Sequence, residues 1–439
     1  MSATKMIMFG YLILILFGAV LLLLPFATRG GGTSLETALF TATSATCVTG
    51  LIMEDTYTYW SLFGQLVILI LVQIGGIGFM TIAITAISFT KLKIGLHSRF
   101  VMQQSVSAPQ VGGIVRMTKF IILGSLLFEG IGAVLLAFRF CPLVGFADGL
   151  YFAVWHSITS FCNAGFDLMG AAKPFSSLTT VDVDIMLNVV IMLLITIGGL
   201  GFFVWSDIAE HKLKIKAYKL STKLVLITSL LLTVGGAAMI FLYEHNEPSM
   251  EGRTVGERLL LSLFQSVSCR TAGYNTMNLG VLSEAGKMAM SFLMFIGGSP
   301  ASTAGGLKTT TLAVLFLSIT IVFKQKKSIE VFGRRIEDST LQHACCLLVL
   351  YLTLTLTVST IISEVEGLPF IDCLFESVSA VGTVGMTVGI TGSLSVFSHL
   401  LLILLMFIGR IGGLTLLLAL GKPSVSTGSK LPVEKIVIG

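Results

Sequence analysis

Four tracts of the chain share a pattern whose chemistry would come from the backbone rather than from reactive side chains. They read LFTATSATCVTGL (Leu39 to Leu51), WHSITSFCNAGFD (Trp155 to Asp167), LFQSVSCRTAGYN (Leu263 to Asn275) and LFESVSAVGTVGM (Leu374 to Met386). Aligned on their last glycines, Gly50, Gly165, Gly273 and Gly385 fall in register at separations of roughly 110 residues, as in a duplicated unit. A dehydrated cation needs oxygens in place of its water shell, and an extended backbone whose carbonyls point inward from four sides supplies them. Glycine suits such a backbone because it reaches positive φ without steric cost. The residues expected to face the ion are Val48, Thr49 and Gly50; Asn163, Ala164 and Gly165; Thr271, Ala272 and Gly273; and Thr383, Val384 and Gly385. Of these, Thr383-Val384-Gly385 is nearest to a potassium-channel filter sequence, and the other three read VTG, NAG and TAG. The plainer alternative is that the glycines serve close helix packing, which leaves their common register unexplained.

A second set of marks runs in step with the first: Ile74-Gly75-Gly76, Ile197-Gly198-Gly199, Ile296-Gly297-Gly298 and Ile408-Gly409-Arg410. In the third unit it leads into Gly297-Gly298-Ser299-Pro300-Ala301-Ser302-Thr303-Ala304-Gly305-Gly306, a composition that no straight helix would choose. Irregular backbone at membrane depth must be buried in protein or line water, which predicts a loop beneath the third glycine tract; a merely kinked helix is the alternative. In the fourth unit Arg410 replaces the second glycine. A charge near mid-membrane costs at least about 2.5 to 3.5 kcal/mol, so Arg410 should face water, a carboxylate or loop carbonyls. With the loop it is expected to form a constriction on the cytoplasmic side of the glycine tracts, a structural ion pair or a snorkelling side chain being the alternatives. Lys308 either clamps the loop or reaches cytoplasmic water, Arg270 packs behind the third tract, and Glu129 is either a functional carboxylate or half of a buried ion pair.

The elements that must position these residues follow from hydropathy. The chain has 439 residues, 54% of them hydrophobic and 12% charged, against about 25% charged in soluble domains. Its mean hydropathy is +0.93. Apolar runs of spanning length start near Met6, Trp60, Met117, Val183, Lys223, Ala285, Leu341 and Phe397. The first, with one preceding lysine and no small-residue cleavage pattern after it, reads as a retained helix. Between the members of each pair lies an insert of about 10 to 14 residues, beginning at Leu35, Phe146, Val255 and Phe370, too short to cross a bilayer.

The expected fold is therefore an all-α integral membrane protein of four tandem parallel helix–pore-loop–helix repeats, with eight spanning helices and four re-entrant half-helices around a pseudo-fourfold pore. The repeats are residues 1–92, 93–215, 216–328 (with the loop at 297–306) and 329–420, followed by a tail over 421–439. Lysine and arginine gather between pairs (Lys91, Lys93, Arg99, Arg116, Lys119; Lys212 to Lys223; Lys324, Lys326, Lys327, Arg334, Arg335), which puts those loops and both termini in the cytoplasm and lets the inserts enter from outside.

With these tracts in place the chain resembles, over nearly its full length, the superfamily of Trk, Ktr and plant HKT potassium transporters, and most closely the membrane subunit of the bacterial Ktr uptake system. The resemblance implies potassium uptake across the bacterial cytoplasmic membrane, with the 297–306 loop as a gate below the filter. It implies a homodimer, each protomer with its own pore, resting on a cytosolic ring of nucleotide-binding (KtrA-like, RCK-type) regulatory subunits. The ring's docking surfaces would be the basic loops and the tail. In the plant branch a serine at the first filter position accompanies sodium transport, and Gly50 stands there instead. Where the family usually has a proline two or three residues after the arginine, this chain has Gly413.

Other classes find little support. The six histidines (His97, His156, His211, His245, His343 and His399) are scattered, and HExxH, GxSxG and GxxxxGK[ST] do not occur, so no enzyme and no organic cofactor are expected. Seven cysteines lie without disulfide or metal spacing, and are expected to act as small hydrophobes. The net charge of +5 sits in short loops beside apolar runs, which argues for membrane lipid and against nucleic acid. The competing transport reading is a sodium-coupled (symport) or carrier-type cation transporter.

Overall fold

The computed structural model describes residues 3–78, 114–326 and 328–413, together with Thr81 and Gln103. Lys91, Lys93, Arg99, Lys327, the boundary between the first two repeats and the tail fall outside the described residues. In chain order the longer helices are α1 (Ala3–Leu22), α2 (Leu35–Thr46), α3 (Leu62–Ile77), α4 (Ile114–Val144), α5 (Phe146–Phe161), α6 (Ile185–Leu200), α7 (Phe202–His211), α8 (Leu220–Glu244), α9 (Val255–Ser268), α10 (Glu284–Phe295), α11 (Thr309–Lys324), α12 (Asp338–Glu366), α13 (Phe370–Gly382) and α14 (Val396–Ile411). Among the described residues the regular structure is helical throughout apart from a short two-stranded antiparallel hairpin, Glu330–Val331 with Arg334–Arg335, between α11 and α12.

Each repeat opens with its longest helix. Those four, α1, α4, α8 and α12, are long and apolar enough to cross a membrane. Large apolar side chains stay exposed along them, among them Ile13 and Phe17 on α1, Phe138 on α4, Leu231 on α8 and Val349 on α12, as a lipid-facing surface requires. The half-helices α2, α5, α9 and α13 start where the hydropathy breaks placed them. With 12, 16, 14 and 13 residues they rise only about 18 to 24 Å at 1.5 Å per residue. They are buried on most sides; α13 is buried at every position from Cys373 to Gly382.

The third helix of each repeat, α3, α6, α10 or α14, is opened by a polar cap. Ser61, Asp184, Ser283 and Ser395 accept from the backbone N–H groups of Gly64, Leu187, Gly286 and Ser398. All four helices stop early. The sequence marks predict an interruption only in the third repeat, but α3 ends at Gly78 (φ +95°), α6 at Gly201 (φ +95°) and α14 at Gly412 (φ +89°). A glycine at positive φ ends a helix without strain, and after Gly201 the chain leaves as α7 at 93° to α6. In three repeats the signature is thus Ile-Gly-x-x-Gly, its last glycine being the break.

The first glycine of the signature has a different duty. A Cβ at Gly75, Gly198 or Gly409 would collide with the carbonyl oxygen of Thr46, Phe161 or Val381, at the end of the half-helix in the same repeat. At Gly297 it would strike Gly305 O within the loop. Gly75→Ala, Gly198→Ala and Gly409→Ala are each expected to destabilise the fold by about 1–3 kcal/mol through overpacking, lowering the thermal midpoint of the detergent-purified protein. Unchanged melting in all three would contradict this packing role.

Candidate functional site

Just past each half-helix the backbone enters the left-handed region twice, two residues apart. Val48, Asn163, Thr271 and Thr383 have φ of 58°, 58°, 78° and 52°, and Gly50, Gly165, Gly273 and Gly385 have φ of 90°, 66°, 85° and 92°. Non-glycine residues seldom adopt this conformation, yet here it recurs at the same place in all four repeats.

The four glycines adjoin one another in cyclic order. A Cβ at Gly50 would strike Ala164 O and lie 3.0 Å from Gly165 Cα; at Gly165 it would lie 2.8 Å from Ala272 O and 3.0 Å from Gly273 Cα. At Gly273 it would strike Val384 O, 3.4 Å from Gly385 Cα, and at Gly385 it would strike Thr49 O, 2.8 Å from Gly50 Cα. The ring closes, and the carbonyls of Thr49, Ala164, Ala272 and Val384, all from fully buried residues, fill the space side chains would need.

Each half-helix holds its own arc through a serine or threonine. Ser44 O, Thr159 O and Ser379 O accept from the N–H groups of Thr49, Ala164 and Val384 at 2.8 Å, and Ser268 O from Ala272 at 2.9 Å. The hydroxyls of Ser44 and Ser379 also accept from Gly50 N (3.0 Å) and Gly385 N (3.1 Å). Ser268 stands five residues before its glycine where the others stand six, and its hydroxyl donates instead to Tyr274 O at 2.5 Å. Trp155 Nε1 donates to Phe166 O (2.8 Å), and the Asn163 amide bonds the Thr271 hydroxyl (3.2 Å), tying the second arc to the third.

The interruption of the third repeat is a loop running from Gly297 to Lys308, between α10 and α11. Its N–H groups find the carbonyls that the early end of α6 leaves free: Ser299 N donates to Gly199 O (3.0 Å) and Thr303 N to Gly198 O (3.3 Å). Phe202 N returns a bond to Ala301 O at 2.7 Å. Thr303 Oγ1 donates to Phe161 O (3.2 Å), and Gly305 N to Thr383 Oγ1 (3.1 Å), so the loop reaches the half-helix end of the second repeat and the first left-handed residue of the fourth. Lys308 Nζ donates to Ala304 O (2.7 Å) and Gly305 O (3.3 Å); of its two possible roles, the clamp is the one present.

Arg410 spans the space beneath. Nη1 donates to Thr303 O in the loop, and Nη2 donates to Gly75 O and, at 3.1 Å, to Gly76 O, carbonyls freed where α3 ends. It pairs with no carboxylate among the described residues. A cavity of about 240 Å³ adjoins it, lined in part by Tyr11, Phe202, Lys308 and Tyr351. Gly413, where a proline was expected, donates its N–H to Tyr351 Oη at 2.8 Å, a bond proline could not make.

Two side residues are accounted for. Glu129 is held by neutral donation: Gln73 Nε2 lies 3.0 Å from both its oxygens, and of the two alternatives the ion pair is absent among the described residues. Arg270 is buried behind the third arc and donates to Thr233 Oγ1 on α8 at 2.7 Å. Of the seven cysteines, Cys47, Cys162, Cys269 and Cys373 are buried as small apolar groups, while Cys345 and Cys346 are exposed. Three parts of the site lay outside sequence reasoning. These are the carbonyl acceptors at Gly75, Gly76, Gly198 and Gly199, the Thr383 hydroxyl, and the serine and threonine brackets. The repeated Ile-Gly-x-x-Gly spacing was the available clue to the carbonyls, because a helix stopped there must expose its last carbonyls.

Comparison with known proteins gives a consistent result. The family model described as "TrkH: Cation transport protein" matches residues 24–427. The potassium/sodium uptake protein NtpJ of Enterococcus hirae is 39% identical, over 100% of this chain and 98% of that protein. Ktr system potassium uptake protein B of Bacillus subtilis is 37% identical over 95% and 92%, and the Vibrio alginolyticus protein of that name is 34% identical over 99% and 94%. Among solved structures, the potassium transporter TrkH from Vibrio parahaemolyticus matches with a TM-score of 0.70 at 19% identity, covering 94% of this chain and 84% of that one, a likeness of fold.

The brackets around the ring can be tested one at a time. Ser44→Ala and Ser379→Ala each leave a buried N–H without its hydroxyl acceptor, which is expected to destabilise the fold by about 1–3 kcal/mol. Thermal unfolding in detergent reads the loss, and wild-type stability in both variants would show that the hydroxyls do not hold the glycines.

Proposed function

Since the chain belongs to the TrkH family of cation transport proteins, and is a multi-pass membrane transporter rather than an enzyme, we propose that it takes up potassium through the ring of Gly50, Gly165, Gly273 and Gly385. The observation that carries this reading is the closed cyclic contact of the four glycines, with the carbonyls of Thr49, Ala164, Ala272 and Val384 between them. Left-handed residues two apart let successive carbonyls face one side, where they take over from the water around a potassium ion. The C-terminal ends of α2, α5, α9 and α13 meet the ring, and their partial negative charge favours a cation there. Around this filter the four repeats form a pseudo-fourfold pore, entered from outside by the half-helices, with both termini in the cytoplasm.

In this reading the 297–306 loop and Arg410 form the gate. A guanidinium beneath the filter repels potassium, and its bonds to Thr303, Gly75 and Gly76 join the third repeat to the first. To conduct, the loop must part from Arg410 or from its anchors on α6. Relatives named as parts of a Ktr system support a further, regulatory component; in this reading the chain is a homodimer and that component is a cytosolic nucleotide-binding ring. Deleting 421–439 is expected to weaken co-purification with that ring, and undiminished association would remove the tail as its docking surface. The relative named a potassium/sodium uptake protein supports sodium as a second or coupled ion in a symport-type variant of the same pathway.

Ion flux into liposomes holding the purified chain tests both parts. Gly385→Ser is expected to lower the potassium-to-sodium flux ratio roughly tenfold, equivalent to about 1.4 kcal/mol of lost discrimination. Arg410→Ala is expected to raise potassium flux by about tenfold or more, given about 1.5–3 kcal/mol for each hydrogen bond to a charged group. An unaltered ratio in the first would overturn the filter, and unaltered flux in the second would overturn the gate.

A further inference from the structure

Near the start of α14, one buried imidazole joins two repeats. His399, 1% exposed, places Nε2 2.7 Å from Thr391 O and Nδ1 2.6 Å from Glu36 Oε1 at the start of α2. The Phe40 ring packs edge-on against it, with centroids 5.2 Å apart. A carbonyl oxygen only accepts, so Nε2 carries a hydrogen. In a neutral ring Nδ1 is then a lone pair, and at 2.6 Å it would face a carboxylate oxygen. The contact is attractive only if a further proton lies between Nδ1 and Oε1. Glu36 gives that proton a route to water, because its side chain is 26% exposed while that of His399 is 2% exposed.

Thr391 carries the effect to the ring. Its hydroxyl donates to Glu376 Oε2 at 2.9 Å. Glu376, fully buried on α13, also accepts from Thr387 Oγ1 and, at 3.2 Å, from Val388 N. Thr387 is the second residue after Gly385. The chain of bonds therefore runs from α2 of the first repeat through His399 and Thr391 to Glu376, and from there to the segment leaving the fourth glycine. Among the described residues two further carboxylates stand near this cluster, one of them paired with a lysine. Glu366 at the end of α12 accepts from the caps Ser395 and Ser398 and interacts electrostatically with His399, while Asp372 on α13 is paired with Lys287 at 2.6 Å. Among the described residues His399 is the ion-pair partner of Glu36.

We propose that His399 is a positioning residue for the filter, and that the proton it shares with Glu36 makes ion discrimination depend on external pH. With the proton in place the tie holds Thr391, and through Glu376 the outer end of the fourth arc, in register with the first repeat. Without it Glu36 and the Nδ1 lone pair repel, α2 and the Thr391 loop separate, and the arc behind Gly385 loosens. The inference rests on the filter reading above.

The test is the potassium-to-sodium flux ratio of the full chain in liposomes, measured at a series of external pH values from about 5 to 8. The wild-type ratio is expected to fall as pH rises by about 3- to 10-fold, the span one hydrogen bond's net contribution supports. In His399→Gln, and independently in Glu36→Gln, the ratio should become flat with pH. A flat wild-type profile overturns the inference whether or not either variant folds, and so does a slope that survives in both. Gly385→Ser at fixed pH separates the two levels: if it changes the ratio while the pH slope is missing, the His399 inference alone fails, and if it leaves the ratio unchanged, the filter reading fails first.

Discussion

Carbonyls that hold a bare cation must come from backbone that has left its own helix, and within a membrane only protein can supply the hydrogen bonds that backbone gives up. The arrangement around the ring answers this constraint. Each glycine stands where any side chain would strike a carbonyl of the next repeat, so contact between repeats is backbone against backbone. The N–H groups left over at the half-helix ends turn back to Ser44, Thr159, Ser268 and Ser379, four to six residues behind them. With these N–H groups engaged, the carbonyls of Thr49, Ala164, Ala272 and Val384 are left against the neighbouring glycines.

The same accounting explains the level below. Each repeat's third helix must stop short of full spanning length to leave room beneath the ring, and stopping exposes its final carbonyls. The loop N–H groups take up those of α6, and Arg410 takes up those of α3. The charge of Arg410 is thus met by the carbonyl oxygens of Thr303, Gly75 and Gly76, with no carboxylate partner among the described residues. Any movement of the loop exposes these acceptors again, so its position is specified by hydrogen bonding as well as by packing.

Much of this was legible in the sequence because duplication repeats its marks. The four half-helices begin at the hydropathy breaks Leu35, Phe146, Val255 and Phe370, and the register of the glycines anticipated their meeting. The breaks at Gly78, Gly201 and Gly412 are not legible there, since one glycine in an apolar run is compatible with a continuing span and only its φ reveals the stop. An intramembrane carboxylate such as Glu129 invites an ionic partner, whereas its donor is the uncharged amide of Gln73, which no charge pattern in the sequence marks. The His399 tie was unreadable from spacing: its partner Glu36 lies 363 positions away, and only closure of the fourth repeat against the first brings them together.

The central claim is most directly tested by locating the ion. Crystals or reconstituted particles of the protein soaked in rubidium or thallium should show anomalous or difference density on the axis bounded by Gly50, Gly165, Gly273 and Gly385, level with the carbonyls of Thr49, Ala164, Ala272 and Val384. Density bound instead by side-chain carboxylates, with nothing on that axis, would contradict the account.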